Sequence, residues 1–131
     1  MSWHEAVAYC EWARTTLPTE EQWELAARGP EGREYPWGGL EPSPEHANYR
    51  DTGIRRAPTP VGLFPAGNTP DGISDMAGNV WEWTRSIYEK ERRGVRGGSF
   101  LYFAGSLRAA SRLRDGAGYR DLSIGFRCIR E

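Results

Sequence analysis

The spacing of apolar residues predicts a helix at the start of the chain. Ser2 and Glu5 form an S-x-x-E capping box, in which each residue satisfies a free main-chain donor of the first helical turn. The apolar residues that follow recur at helical spacing and share one face: Trp3, Ala6, Val7, Cys10 and Ala13. We expect this helix to end over residues 14–17.

A second capping box predicts a second short helix. It pairs Thr19 with Gln22, and the apolar positions Trp23 and Ala26 follow at helical spacing. Gly29 is a natural residue at the C-terminal end of a helix because it adopts positive φ without strain. Two short helices therefore open the chain.

The remainder reads as structured loop followed by strands. Residues 30–69 contain frequent glycine and proline, and their apolar residues show no sustained helical or strand periodicity. Four later segments have strand character: Trp81 to Ile87, Val95 to Leu101, Leu107 to Arg114, and Ile124 to Arg130. Helices first and strands later predict an α+β fold that is rich in loops and has a small antiparallel sheet.

Composition supports one globular domain. The 131 residues are 38% apolar, with 6 Trp, 6 Tyr and 4 Phe beside 16 Gly and 9 Pro. Disorder and collagen are disfavoured, and no apolar run approaches the roughly 18 residues of a membrane span. The first residues lack the basic start and apolar run of a secretion signal, so a cytoplasmic location is the default expectation.

Charge is unevenly distributed along the chain. Residues 1–91 carry 8 basic and 15 acidic side chains, whereas residues 92–131 carry 9 and 3, for a total of −1. The two parts should attract each other, and internal pairing is favoured over nucleic-acid binding because the arginines sit singly within apolar strands. Lys90 is the only lysine, and such arginine usage suits a pair-rich structure and a thermophilic source.

Several motifs occur in order along the chain: W-H-E-A-V-A-Y-C-E-W from Trp3, L-P-T-E-E-Q-W-E-L-A-A-R-G from Leu17, Y-P-W-G from Tyr35, M-A-G-N-V-W-E-W-T from Met76, R-G-G-S from Arg96 and G-F-R-C from Gly125. Together they resemble the formylglycine-generating enzyme (sulfatase-modifying factor) family. The resemblance implies a C-type-lectin-like fold in one domain over residues 1–131. The strand-rich segment with which the family's domain usually begins is absent from this sequence.

The resemblance does not carry over the family's copper chemistry. The enzymes that oxidise a sulfatase cysteine place two copper-binding cysteines shortly after the Gly-Gly-Ser element, because soft copper(I) prefers sulfur. The matching residues 100–107 contain no cysteine. His4 and His46 lie far apart and form no helical metal-binding pair, so no catalytic residue is assigned and copper is not expected.

The resemblance implies a structural calcium site and a possible disulfide. Asp75, Gly78, Val80 and Glu82 match calcium-binding positions, with carboxylates from the first and last and main-chain carbonyls from the middle two, a ligand set typical of hard Ca²⁺. The alternative is that Asp75 caps a turn and Glu82 pairs with an arginine. A second calcium site is suggested only by Asn48 and Asp51.

The two cysteines match positions that are bridged in some relatives. A bond between Cys10 and Cys128 would tie the first helix to the last strand. A reduced cytosolic protein would instead keep two buried thiols.

Residues 100–123 have an unusual composition. They contain no Glu, Lys, Gln, Met or Trp, although about four such residues are expected in 24 positions from the chain's own composition. Those five types are never encoded by codons that end in a pyrimidine. The segment therefore resembles the variable protein of a diversity-generating retroelement, with a variable region over 96–128. The alternative is a loop and strand that lack long polar side chains.

On this interpretation the segment would present a surface of mixed aromatic and small polar side chains, as antibody loops do. The displayed residues would be Leu101, Tyr102, Phe103, Gly105, Ser106, Ser111, Leu113, Asp115, Tyr119, Asp121, Leu122 and Ser123. Four arginines between them would hold the backbone by pairing with the acidic first part of the chain: Arg108, Arg112, Arg114 and Arg120.

The sequence therefore predicts a calcium-supported scaffold that displays a diversified ligand-binding surface and performs no chemistry. Its partner would be a protein or another macromolecule of unknown identity, and nucleic acid is not expected as a partner. The alternative is an oxidoreductase or accessory domain of the formylglycine-generating type that acts on sulfatase-type substrates. A third interpretation is a degenerate regulatory module of a longer protein.

Overall fold

The computed structural model describes residues 1–50, 57–89 and 91–131. Helix α1 spans Trp3–Trp12 and helix α2 spans Glu20–Arg28. Both predicted capping boxes are present: the Glu5 main-chain N–H donates to Ser2 Oγ, and the Gln22 main-chain N–H donates to Thr19 Oγ1. Local sequence thus sets where each helix begins.

Four strands form one sheet. They are β1 (Trp81–Tyr88), β2 (Arg92–Arg96), β3 (Arg112–Gly116) and β4 (Ile124–Gly125). Their order is β3-β2-β1-β4, and β1 runs antiparallel to β2 and parallel to β4. The sheet is therefore mixed, and the prediction of a purely antiparallel sheet was wrong for β4. The α+β class is confirmed.

Three strand boundaries differ from the prediction for backbone reasons. Strand β2 stops at Arg96 because Gly97 and Gly98 take φ values of 104° and 74°, which turn the chain out of the sheet. The expected third strand starts later, at Arg112, because Ala104–Leu107 forms a 3₁₀ turn. After β4 the chain makes a single antiparallel bridge, from Ile129 to Thr16.

The core consists of one cluster beneath the sheet and two beneath the loops. The first joins α1 to the sheet and includes Ala6, Cys10, Leu17, Trp81, Trp83, Val95 and Ile124. The others gather around Tyr35 and Leu107, and around Trp23 and Met76. Trp12 lies outside the core and is 79% exposed at the end of α1.

A disulfide links Cys10 in α1 to Cys128 near the C-terminus. It adds a covalent connection beside the Thr16–Ile129 bridge. The first helix and the last segment are consequently held together at two points, on the side of the sheet occupied by the main core.

Candidate functional site

The first part of the variable region is held between two buried side chains. Phe100 is 3% exposed and Leu107 is fully buried, whereas Leu101, Tyr102 and Phe103 between them are exposed. The Phe100 main-chain N–H donates to the carbonyl of Asn79 at 2.9 Å. The exposed residues are therefore presented from a segment whose ends are fixed by the core.

A glycine turn allows this segment to pack closely. A Cβ added to Gly98 would lie 2.7 Å from Ser106 Oγ and 2.9 Å from the Ser106 carbonyl oxygen, which no real side chain tolerates. The Ser106 hydroxyl in turn donates to the Phe103 carbonyl at 2.8 Å. The Gly-Gly-Ser element thus sets the direction in which residues 101–103 leave the scaffold.

Trp81 brings the two parts of the variable region together. Its main-chain N–H donates to the Ser123 carbonyl at 2.7 Å. Its ring meets the Tyr102 ring edge-on, with centroids 5.1 Å apart. Residues 119–122 therefore lie near residues 101–103 although they are distant in sequence.

Carboxylates shape the electrostatics of this area. The negative charge of Asp121 raises the pKa of Tyr119, and Asp115 and Tyr102 add to the effect. Hydrogen bonds from Ser123 lower the pKa of Asp121. Burial raises the pKa of Asp115. Negative charge thus lies beside Tyr119, whereas the Arg50 guanidinium stacks on Phe103 at 4.5 Å from the ring centroid.

The structure places the twelve predicted residues at different depths. We call the exposed ones the display surface, and they are Leu101, Tyr102, Phe103, Gly105, Tyr119 and Leu122. Five are half-buried: Ser106, Ser111, Leu113, Asp115 and Asp121. Ser123 is buried beside β1, where its carbonyl accepts the Trp81 main-chain N–H, and this removes it from the displayed set.

The four arginines of the variable region fall into two pairs that differ in their contacts. Arg108 pairs with Glu34 at 3.5 Å and Arg120 pairs with Glu5 at 2.8 Å, so these two contact the acidic first part as expected. Arg112 and Arg114 form no ion pair with a described carboxylate, and the Arg114 guanidinium instead stacks on Tyr88 at 4.2 Å from the ring centroid. The expectation that all four pair with the acidic first part was wrong for these two, because Tyr88 of β1, on the far side of β2, is the partner of the Arg114 guanidinium.

The predicted calcium residues surround a cavity of about 310 Å³. Asp75, Val80 and Glu82 line it, and Gly78 lies nearby in the same loop. The Asp75 carboxylate accepts the Gly62 main-chain N–H at 2.7 Å. These oxygens are of the hard type that Ca²⁺ prefers, so the residues fit the ion chemically.

Arg127 already satisfies part of this site. Its Nε and Nη2 donate to the two carboxylate oxygens of Glu82, both at 2.8 Å, and Nη2 also reaches the carbonyls of Ser74 and Asp75. Trp23 Nε1 donates to the same carboxylate at 2.8 Å. Glu82 thus pairs with an arginine, as the alternative interpretation held, and Asp75 also interacts electrostatically with Arg127. Arg127 was not among the predicted site residues, although the G-F-R-C motif contains it.

The second suggested calcium site is partly visible. Asn48 is fully buried, and its Oδ1 accepts no hydrogen bond among the described residues. Asp51 lies outside the described residues. In the described part of the chain no three His, Cys, Asp or Glu side chains gather closely enough to hold a metal.

Comparison with known protein families decides the chain's membership. The model of the sulfatase-modifying factor enzyme 1-like domain matches residues 1–131. The chain belongs to this family. The structure described above is therefore that of a sulfatase-modifying factor enzyme 1-like domain.

Relatives of this domain include proteins named as enzymes and a protein named as an inactive enzyme. The chain is 38% identical over 149 residues to the inactive C-alpha-formylglycine-generating enzyme 2 of Mus musculus, covering 98% of this chain and 47% of that protein. It is 37% identical over 151 residues to a hercynine oxygenase of Mycobacterium tuberculosis, covering 97% and 35%. The chain thus spans less than half the length of these relatives.

A solved structure adds a third kind of relative. Treponema denticola variable protein 1 superposes with a TM-score of 0.68 and 28% identity, over 84% of this chain and 45% of that one. The resemblance to variable proteins that residues 100–123 suggested is thereby supported by the fold. No helix in the described ranges is both long and apolar enough to cross a membrane.

Proposed function

We propose that this domain binds a macromolecular ligand through the display surface and performs no chemistry. The observation that carries the proposal is the exposure of Leu101, Phe103 and Leu122, at 50%, 58% and 68%, on segments fixed by buried neighbours. Exposed aromatic and aliphatic groups on a rigid frame supply contact area at low entropic cost. Variation there would change the ligand and leave the core intact.

The retroelement interpretation is tested by sequencing the 3′ end of the gene and its flanks from many cells of the source population. We expect substitutions confined to the twelve predicted positions and traceable to adenines of a nearby near-copy of these codons. An invariant segment with no such copy would overturn the diversified interpretation. Substitutions spread evenly over residues 1–131 would overturn it as well.

The alternative function is oxidation of a sulfatase-type substrate, and family membership favours it. Residues 100–107 contain no cysteine, and both cysteines of the chain are joined in the disulfide. Neither thiolate is then available to bind copper or substrate. Incubation of the protein with copper, oxygen, reductant and a cysteine-containing sulfatase peptide should yield no aldehyde by mass spectrometry. Catalytic aldehyde formation would establish the alternative.

We also propose that the Asp75–Glu82 cavity holds a weakly bound structural calcium ion. Support comes from Asp75 and Val80, which line the cavity, and from the hard oxygen ligands they would provide. Because Arg127 already offsets the charge of Glu82, the affinity should lie in the millimolar range.

The calcium proposal is tested by thermal unfolding of metal-free protein. The melting temperature should rise with Ca²⁺ and saturate only at millimolar concentrations, whereas Mg²⁺ at the same ionic strength should have less effect because it demands a stricter geometry. The Asp75→Asn variant should lose the calcium response. No difference between EDTA and 10 mM Ca²⁺ in the wild type would exclude the site.

A further inference from the structure

The outer edge of the sheet carries a group of arginines that the proposed function does not use. Residues directly opposite each other in the antiparallel ladders share one face. Arg92 lies opposite Tyr88 in one ladder, and Arg114 lies opposite Gly94 in the other. Arg112, two residues from Arg114, points to that same face. We call Arg92, Arg112 and Arg114 the edge arginines.

Tyr88 organises this group. The Arg114 guanidinium stacks on its ring, and the positive charge of Arg112 acts on its hydroxyl. The hydroxyl itself donates to the Glu20 carboxylate. Stacking fixes the plane of a guanidinium and leaves its N–H donors directed sideways. Arg114 is thus held in place without its donors being consumed.

The edge arginines form no ion pair within the described part of the chain. All three are exposed, and none lies within ion-pair distance of a described carboxylate. Arg112 lines a cavity together with the glutamates of α2, and Glu20 among them is engaged by Arg96 at 2.9 Å. Arg92 acts electrostatically on the half-buried Asp115 without pairing with it. Three cations therefore face an open cavity of about 330 Å³.

The backbone of β3 is also open at this edge. β3 is the outermost strand of the sheet in the described residues. The Ala117 main-chain N–H donates to the Glu91 carbonyl, so in this ladder residues 113, 115 and 117 bond toward β2. Arg112 and Arg114 consequently direct their main-chain N–H and C=O groups away from the sheet. An exposed strand edge of this kind is a template for another strand.

We propose that the β3 edge binds an extended acidic peptide segment of a partner protein by strand addition. Main-chain hydrogen bonds would form with Arg112 and Arg114, and acidic side chains at alternate peptide positions would meet their guanidinium groups. The intervening peptide residues would face the side of Leu113 and would be apolar. The surplus of 9 basic over 3 acidic residues in positions 92–131 favours an acidic occupant.

This inference is independent of the display surface. Arg112 and Arg114 belong to the frame and not to the predicted variable positions. A partner bound there would therefore be the same for every variant of the display surface. The two surfaces would serve a selected ligand and a constant partner respectively.

The test measures binding of short peptides to the whole chain by fluorescence anisotropy. The probe is an eight-residue peptide, blocked at both ends, in which glutamate alternates with valine. Three matched peptides accompany it: one of the same composition with the glutamates contiguous, one with glutamine for glutamate, and one N-methylated at alternate residues on its pairing edge. We expect saturable binding of the alternating peptide alone, weakened by 0.5 M NaCl.

Variants locate the site. The double variant R112Q/R114Q should bind about tenfold more weakly, since an exposed charge pair contributes about two- to fivefold. Arg130→Gln, another exposed arginine without an ion pair in the described residues, is the control and should bind as the wild type does. Circular dichroism and the melting temperature establish that each variant is folded.

Three results would overturn the proposal. Absence of saturable binding by the alternating peptide is one. Equal binding of the N-methylated peptide, the contiguous peptide or a single-stranded oligonucleotide of the same charge is another, because it would reveal a simple electrostatic patch. Undiminished binding by the folded double variant would place the site elsewhere. The peptide series on the wild type decides the question even if the double variant does not fold.

Discussion

Glu82 is a buried residue on which groups from distant parts of the chain converge. Its carboxylate is 5% exposed and accepts hydrogen bonds from Trp23 on α2 and from Arg127 near the C-terminus. Burying a carboxylate without a counter-charge is costly, so each of these donors is needed to offset its desolvation. One side chain therefore couples α2, β1 and the last segment.

Substituting Glu82 should destabilise the fold strongly. Glu82→Gln leaves Arg127, whose side chain is 28% exposed, without a counter-charge, and we expect a loss of about 2–3 kcal/mol in the free energy of unfolding. Urea denaturation measures the change. Glu34→Gln breaks the exposed pair with Arg108 and should cost less than about 1 kcal/mol. Equal effects of the two substitutions would contradict this account.

Glu5 should contribute to stability in a defined acid range. Its hydrogen bond with Arg120, aided by the Ser2 cap, lowers its pKa from 4.5 to about 2. Above pH 4.5 the carboxylate is ionised in both the folded and the unfolded states and the contribution is complete. Between pH 4.5 and 2 the unfolded state binds the proton more readily, so this contribution is lost as the pH falls.

The variant Glu5→Gln keeps a capping side chain and removes the charge. We expect it to flatten the pH dependence of the unfolding free energy between pH 4.5 and 2, as followed by urea denaturation at each pH. Glu11→Gln, exposed on the same helix, serves as the control and should follow the wild-type curve. An unchanged slope in Glu5→Gln would contradict the assignment.

At the scale of elements, the disulfide is the connection between α1 and the end of the chain. Cys10 and Cys128 are separated by 118 positions in sequence. Cross-linking so long a loop restricts the unfolded chain and raises its free energy. Beside this bond, α1 is held to the sheet by Trp3 Nε1, which donates to the Thr84 carbonyl at 2.8 Å.

Removal of the disulfide should lower stability by about 3–5 kcal/mol. The double variant C10S/C128S is compared with the wild type by urea denaturation, with and without a reducing agent. The reductant should affect only the wild type. Thiol titration of the denatured, non-reduced wild type should find no free thiol, and two free thiols would rule out the bond.

The whole molecule separates a packed scaffold from a tolerant surface. The main core and the two smaller clusters contain most of the buried aromatic residues, whereas the display surface lies outside all three. Exposed side chains contribute little to folding free energy, since they lose little contact with water on folding. The displayed residues can vary without loss of the fold only if they lie outside the core in this way.

The separation predicts that several displayed residues can change together. The triple variant L101S/F103S/L122S should keep a melting temperature within a few degrees of the wild type. Leu107→Ser, one buried leucine between the same segments, should cost about 3 kcal/mol or more by urea denaturation. Comparable losses in the two variants would show that the surface is part of the core.

The amino-acid sequence by itself determined the local features. Both helices begin at their predicted capping boxes, because each box joins residues only three apart and forms before any tertiary contact. The motifs also identified the family over the whole chain. The alternation of exposed and buried residues from Leu107 to Arg114 was likewise readable, since it depends on the geometry of the segment itself.

Only the tertiary structure decided which distant groups meet. The parallel pairing of β4 with β1, the burial of Ser123 and the pairing of Glu82 with Arg127 each depend on segments about 40 residues apart. Charge totals predicted attraction between the two parts of the chain but could not show that Arg112 and Arg114 would gather on Tyr88 instead. A sequence pattern records which residues are apolar or charged, whereas partner choice is set by how folded elements approach one another.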